Sequence, residues 1–382
     1  FNIQKLLPHK FSEYGPALAS GDIDGNGLDD IVCGGSSGNS TMLFFQQPDG
    51  KFIQKPLLED SKISEKSWDD AGILLFDADG DQDPDLYISS GGFENEVNSE
   101  SYSDHFYIND GHGVFTENIE AVPGNLTSKF CVRASDFDRD GDLDLFIAGR
   151  VSPWAYPKPV SSFIYRNDSK PGNVRFTDIT NDVAPDLGNI GLVCDAIFTD
   201  YDNDGWSDLI LAGEWMPVTV LKNKNGVFNN VTSLTGISDK IGWWNSISAG
   251  DFDNDGDIDY ILGNLGLNSF YRADKDHPVS VYAADFDNNG SYDAFPSLYL
   301  AASQQDTSEK PFPAHGRDDA VKQMISMRSK FQNYKAYANS SIDQLFSEKQ
   351  LINSMILKAN YFSSGYCRND GNNKFTLVPL PV

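Results

Sequence analysis

One nine-residue pattern, Asp-x-Asp-x-(Asp or Asn)-x-x-x-Asp, recurs six times along this chain of 382 residues. The copies begin at Asp22, Asp77, Asp136, Asp200, Asp251 and Asp285, spaced by 55, 59, 64, 51 and 34 residues. A motif returning at such intervals marks one small structural unit per repeat, each packed against the next.

The spacing suits a hard divalent cation. Calcium takes six to eight oxygens at about 2.3–2.6 Å. In a tight loop, side chains at positions 1, 3 and 5 turn toward one point, position 7 offers its carbonyl, and position 9 returns a carboxylate. The expected ligands are Asp22, Asp24, Asn26 and Asp30; Asp77, Asp79, Asp81 and Asp85; Asp136, Asp138, Asp140 and Asp144; Asp200, Asp202, Asp204 and Asp208; Asp251, Asp253, Asp255 and Asp259; and Asp285, Asp287, Asn289 and Asp293. Up to six Ca²⁺ ions are expected. Magnesium fits less well, because it prefers few protein ligands and keeps its waters. Position 6 is Gly in five copies, which permits a positive φ; Gln82 in the second copy predicts a local difference. EF-hands are excluded: they need Glu at position 12, where this chain has Cys33, Ile88, Ile147, Leu211, Leu262 and Pro296.

Placement of the acids also explains the charge. With 29 Lys and Arg against 56 Asp and Glu, the formal charge is −27. Six calcium ions would bring it to −27 + 12 = −15. Such an excess disfavours nucleic acid and anionic membrane as partners. No apolar run approaches the roughly 18 residues of a membrane span.

Apolar, β-rich runs flank the loops: Ala71–Phe76, Lys129–Ser135 and Leu192–Thr199 before them, Asp85–Gly92, Asp144–Gly149 and Asp208–Gly213 after them. An amphipathic strand, a turn and a last strand follow, as in His105–Asn118. About four strands per repeat make a propeller blade. The chain therefore reads as all-β: a single β-propeller over 1–382. Phe1–Leu7 and Lys374–Leu380 both read as outer strands and cannot both close a six-bladed ring. This predicts a seven-blade plan, with six loop-bearing blades and most of the seventh missing or beyond Val382. Phe1 is no initiator Met, so the chain reads as a mature or excised segment. From Arg317 to Ser364 there is no Gly or Pro. Val321, Met324, Ile325, Arg328 and Phe331, then Leu351, Ile352, Met355 and Ile356, follow helical spacing. A helical insertion over 304–364 is predicted in the sixth blade.

Candidate sites beyond the loops are fewer. Five of the six Trp fall in connections expected on the face opposite the loops. Trp68, Trp154, Trp215, Trp243 and Trp244, with Tyr156, are the candidate partner-binding residues; Lys129, Arg150 and Lys158 accompany them. Cys33, Cys131, Cys194 and Cys367 match no zinc spacing, and Cys131 and Cys194 are placed in core strands. Gly34–Gly38 carries a Gly-x-Ser-x-Gly pattern, but a strand rather than a helix follows, so no nucleophile elbow is expected. His315 is read as a helix cap.

Taken together, the loops and the phrases Gly242–Ser269 and Tyr366–Pro381 resemble the FG-GAP/VCBS repeat family, which includes the integrin α head and bacterial VCBS-repeat proteins related to the cartilage acidic protein family. The resemblance covers nearly the whole chain. It implies a propeller, calcium at the loops, and a secreted or surface location, and it implies no reaction. The helical insertion departs from the integrin pattern. The function expected is a calcium-stabilised binding or scaffold propeller, not an enzyme, in an extracellular, cell-surface or periplasmic setting. It would recognise a protein or glycan through the face opposite the loops. A polysaccharide lyase or hydrolase is the competing reading, and would need a deep pocket holding convergent Arg, His and Tyr.

Overall fold

The computed structural model describes residues 3–302 and 308–381. It contains six antiparallel sheets of four main strands each. Sheet I pairs Leu18–Gly21, Asp30–Cys33, Met42–Gln46 and Phe52–Pro56 in that order. Sheet II runs Asp69–Phe76, Asp85–Gly91, His105–Asn109 and Phe115–Glu117, and sheet III Lys129–Ser135, Asp144–Gly149, Phe163–Asn167 and Phe176–Asp178. Sheet IV holds Leu192–Thr199, Asp208–Met216, Thr219–Lys224 and Val227–Asn230, with the short strand Gly242–Trp243 added beyond the bulge near Glu214. Each nine-residue loop joins the first strand of its sheet to the second.

The second strands of sheets II, III and IV are buried along their whole length. That is why they read as continuous apolar runs, not as an alternation. Their two faces feed successive interfaces. Val32 and Leu43 of sheet I pack on Ile73 and Leu86 of sheet II. Tyr87 and Phe106 pack on Val132 and Leu145, Phe146 and Ile164 on Val193 and Leu209, and Ile210 and Val220 on Ile247 and Tyr260. The first strands of sheets I to V neighbour one another in succession. This is the arrangement of propeller blades. Cys131 and Cys194 lie buried on such inner strands, and the four thiols are free.

Sheet V departs from the simple plan. Its first two strands, Ser246–Gly250 and Asp259–Gly263, pair with Gly365–Asn369 and Phe375–Pro379. Everything between them is inserted, including sheet VI: Val279–Ala284, Asp293–Ala301 and Glu309–Pro313, with Met355–Ala359 on the free edge of Val279–Ala284. One face of sheet VI packs Val281, Ala283 and Leu298 against Val151, Tyr156, Trp215 and Trp243 of sheets III and IV and their connections. The other face is covered by short helices: Phe286 and Phe295 meet Met324, Met327, Phe331 and Phe346.

Two terminal segments had suggested a seventh blade. The C-terminal strand is indeed an outer strand, but it completes sheet V. Residues 3–7 form no strand. Gln4 instead bonds to the Tyr156 and Tyr292 carbonyls at 3.1 and 2.8 Å, and accepts the Tyr156 N–H at 2.8 Å. Gln4 is thus wedged between sheets III and VI, and no seventh sheet occurs among the described residues. Helices occupy Arg317–Gln323, Ser326–Lys330, Tyr334–Ala338, Ile342–Leu345 and Glu348–Ile352. Met355 and Ile356, expected on a helix, lie in the edge strand, because pairing with Val279–Ala284 satisfies their backbone. Of the expected insertion, residues 304–307 lie outside the described residues. His315 is no cap: Gly316 occupies the N-cap position, without a side-chain bond.

An asparagine stitches neighbouring blades together. Asn109, Asn167 and Asn369 end the third strands of sheets II, III and V, Asn223 stands one residue before the end of that of sheet IV, and all four are 4% exposed or less. Each donates its side-chain N–H to the carbonyl at loop position 2 of the preceding sheet: Ile23, Ala78, Phe137 and Tyr201, at 2.9, 2.9, 2.8 and 2.6 Å. Replacing Asn223 by Ala strands the Phe137 and Ser207 carbonyls and should cost about 1–3 kcal/mol. The exposed Asn229→Ala serves as control, expected within about 0.5 kcal/mol of the parent. Urea denaturation midpoints measure both.

Candidate functional site

The six loops share one geometry. At position 6, Gly27, Gln82, Gly141, Gly205, Gly256 and Gly290 all take positive φ, from 76° to 100°. Gln82, expected to differ, adopts the same left-handed backbone. Position 4 is left-handed as well, at Gly25, Gly80, Arg139, Asn203, Asn254 and Asn288. The position 6 N–H always donates to the far oxygen of the first Asp, at 2.8–3.2 Å. The position 7 N–H always donates to the side-chain oxygen at position 5, at 2.7–3.1 Å. Asx turns of this kind hold the remaining carboxylate oxygens facing one another.

Carboxylate oxygens gather within 4.8 Å of one another in Asp22, Asp24 and Asp30; in Asp77, Asp79 and Asp81; in Asp136, Asp138 and Asp140; in Asp200, Asp202 and Asp208; and in Asp251, Asp253 and Asp255, with one further group. Position 9 therefore joins the cluster in the first and fourth loops. In all six loops it has a second task. Asp30, Asp85, Asp144, Asp208, Asp259 and Asp293 are buried, at 1% exposure or less. One oxygen accepts the position 2 N–H in five loops, and the other accepts an N–H from the end of the third strand in sheets I to V, for example Gln46 at 2.7 Å and Asn223 at 2.7 Å. In sheet VI the Gln323 side chain takes the third strand's place on Asp293 at 2.8 Å, and Gln350 bonds the Phe286 carbonyl at 2.8 Å.

These clusters fit a divalent cation. Asp79 Oδ1, Asp136 Oδ1, Asp144 Oδ2, Asp202 Oδ1 and Asp287 Oδ1 are buried with no hydrogen-bond partner, a costly state without a counter-charge. Burial above all, opposed by backbone hydrogen bonds and reinforced by neighbouring acids, pushes Asp85 up to about 7, Asp144 to about 8, Asp208 to about 7 and Asp293 to about 6. A cation at the cluster would relieve both stresses. Loop four already has a protein cation beside it: Lys222 Nζ contacts Asp202 and lies 3.0 Å from Asp204 Oδ2.

The aromatic candidates do not form a surface. Tyr156 and Trp244 are fully buried, and Trp243 and Trp215 are 3% and 6% exposed. Sheet VI covers Trp215, Trp243 and Tyr156. Trp68 stacks on His105 at 3.9 Å, and Trp154, partly buried, lines a small hollow with Phe11, Ser12 and Glu94.

A larger cavity, of about 340 Å³, opens beside that hollow. Its walls are the strand ends of sheets I to III farthest from the loops, at Gly34, Gly35, Asp69, Asp70, Glu94, Lys129, Phe130 and Arg150, closed by residues 11–16. Behind it lies a buried charge network. Glu214, 1% exposed, contacts the Arg150 guanidinium; His9 Nε2 lies 2.9 Å from its Oε1, and the Tyr14 and Tyr156 hydroxyls donate to it at 3.1 and 3.3 Å. Burial alone would raise the Glu214 carboxyl, but Arg150 and His9 outweigh it and hold it at about 2. Arg150 and Lys129 were noted in the sequence; His9, Tyr14, Glu214 and the stitching asparagines were missed. Only the asparagines left a signal, since an Asn stands at or next to the end of the third strand in four repeats.

Two stretches of the chain, residues 22–88 and 200–262, match the family described as FG-GAP-like repeat. Cartilage acidic protein 1 of Xenopus tropicalis is 25% identical over 325 residues, covering 74% of this chain and 47% of that protein. The chain thus spans about half the length of the curated relative it matches. Among solved structures, an Agrocybe aegerita lectin that recognises non-reducing terminal N-acetylglucosamine superposes with a TM-score of 0.40 at 14% identity, over 96% of this chain and 80% of the lectin. The exotype rhamnogalacturonan lyase YesX also gives 0.40, at 12% identity, over 77% of this chain and 54% of the lyase.

The Glu214 network yields a pH prediction. Its carboxyl is depressed from 4.5 to about 2 in the folded chain. The stability it contributes is therefore complete above pH 4.5 and is lost as pH falls toward 2. Glu214→Gln should be less stable than the parent at pH 6, by about 3–5 kcal/mol for a broken buried pair. The gap should narrow below pH 4.5, and paired urea titrations at several pH values follow it.

Proposed function

We propose that this chain is a calcium-stabilised binding propeller working outside the cytosol. It holds a small ligand, or the terminal unit of a glycan or protein chain, on the face opposite its loops. The observation that carries the reading is the cavity of about 340 Å³ with the Arg150 guanidinium buried in its wall. Its volume falls in the ordinary range of ligand pockets, about 300–1,000 Å³. Recognition thus rests on Arg150, Phe11, Tyr14 and Phe130 rather than on the buried tryptophans.

Calcium is the cation proposed for all six loops, since their donors are all oxygens and carry several negative charges. Extracellular modules bind calcium at about 10⁻⁴–10⁻³ M, an affinity at which the loops fill only outside the cytosol. The likeness to a cartilage acidic protein supports the same location. No helix among the described residues is long and apolar enough to cross a membrane.

The enzyme reading also has an observation in its favour, because Arg150, Tyr14 and His9 converge on Glu214. The protonation of Tyr14 and Glu214 argues against it. Burial first, and then the adjacent Glu214 charge, lift the Tyr14 phenol far above its usual range, so it is a poor base. Glu214 is ionised and saturated with donors. The network therefore serves to fix Arg150 in position.

Chelation tests the metal half. Each site filled to 100 times its Kd adds about 2.7 kcal/mol, so excess EDTA should lower the thermal midpoint by more than 10 °C. Calcium should restore it and equimolar magnesium should not; an unmoved midpoint would remove calcium from the reading. For the recognition half, Ser12→Trp places a bulky ring at an exposed position on the cavity mouth. Ligands found on a glycan array or in a panel of free small molecules should lose at least tenfold in affinity with no change in thermal midpoint. Unchanged binding would move the site elsewhere.

A further inference from the structure

The charges in the cavity wall do not balance, and the imbalance has a direction. Lys129 is fully buried and lies 3.2 Å from Asp104 Oδ1. Asp70 is matched by Lys66 at 3.1 Å, whose ammonium also donates to the Gly35, Ser36 and Trp68 carbonyls. That leaves Asp69 and Glu94. Among the described residues neither forms an ion pair. Asp69 accepts only the Ser37 N–H at 2.8 Å, and Glu94 only the neighbouring Phe93 N–H at 2.7 Å. Their Oδ2 and Oε2 atoms each lie 2.8 Å from the point where a side chain on Gly92 would begin. The two carboxylates converge on a space that only glycine leaves open.

The guanidinium of Arg150 offers the opposite character. Arg150 is 2% exposed, and one nitrogen is spent on Glu214. Its Nε and Nη1 are buried and have no partner. The guanidinium sits 5.2, 5.4 and 5.9 Å from the ring centres of Phe11, Tyr14 and Phe130, all of which line the same cavity. A buried donor left unpaired is costly, so this position selects an acceptor oxygen.

We propose that the cavity takes a small dipolar ligand, with an ammonium seated between Asp69 and Glu94 and a carboxylate received by Arg150, its apolar part lying on the three rings. The proposal rests on the binding reading above and adds the chemical class of the ligand. A free amino acid and an amine-bearing sugar acid both have this chemistry.

Titration calorimetry on the full chain in calcium tests it, with L-leucine, leucine methyl ester, N-acetyl-leucine, muramic acid and N-acetylglucosamine as probes. Leucine or muramic acid should bind at least tenfold more tightly than either blocked leucine and than the neutral sugar, and the tighter of the two identifies the source. Asp69→Asn should abolish the preference for the free amine. Glu94→Gln, at an exposed residue clear of the Arg150 network, should weaken it about tenfold with an unchanged thermal midpoint. Equal binding of N-acetyl-leucine and leucine, or an amine preference that survives both substitutions, overturns the dipolar assignment while leaving the cavity a site. No binding by any probe, together with an empty glycan array, overturns both.

Discussion

Asp30, Asp85, Asp144, Asp208, Asp259 and Asp293 each bring a carboxylate into the protein interior, and the rest of the structure follows from how that charge is satisfied. In most loops one oxygen takes an N–H of its own loop, and the other takes an N–H from the end of the third strand or, in sheet VI, from a helix. The loop backbone then presents a carbonyl to the asparagine of the next blade. Loop, third strand and neighbouring blade are thereby linked in one hydrogen-bonded chain. The same geometry crowds the loop carboxylates and leaves several buried oxygens without partners. Each loop thus presents a crowded set of carboxylates that could hold a cation.

Sheet VI meets the same needs by other side chains. It has a loop of the common form, yet among the described residues no following blade supplies an asparagine to it. Gln323 and Gln350, both on the helical segment, bond the two groups that a third strand and a neighbouring blade satisfy elsewhere. Lying across the connections of sheets III and IV, sheet VI also buries the aromatic side chains that those connections carry. That burial withdraws Trp215, Trp243 and Tyr156 from the surface, while Trp68 and Trp154 stay partly exposed.

On that side a cavity of about 340 Å³ opens among the far strand ends of sheets I to III. The Glu214 network behind it fixes Arg150 by one nitrogen and leaves two others unpaired. In the binding reading proposed above, a fixed, partly unsatisfied cation and two carboxylates without ion pairs in one cavity wall would cost a ligand little side-chain ordering.

How much of this could be read from the residues alone depended on whether the signal was local. The nine-residue loops, their cluster-forming Asp side chains and the four-strand repeats were all legible, because ligand spacing, left-handed turns and buried-strand composition are properties of contiguous residues. Gln82 took the shared backbone because its flanking Asx turns impose it. Contacts distant in sequence were hidden. The pairing of Asp259–Gly263 with Gly365–Asn369 across a hundred-residue insertion, the wedge of Gln4 against Tyr156, and the meeting of His9, Arg150 and Glu214 arise only when the sheets pack. The sequence by itself determined an Asp-rich loop that gathers carboxylates, and the blade that carries it, since both are short-range geometry. Only the tertiary structure decided which aromatics are covered and which charges go unpaired, because burial and ion pairing are set by neighbours that chain order does not reveal.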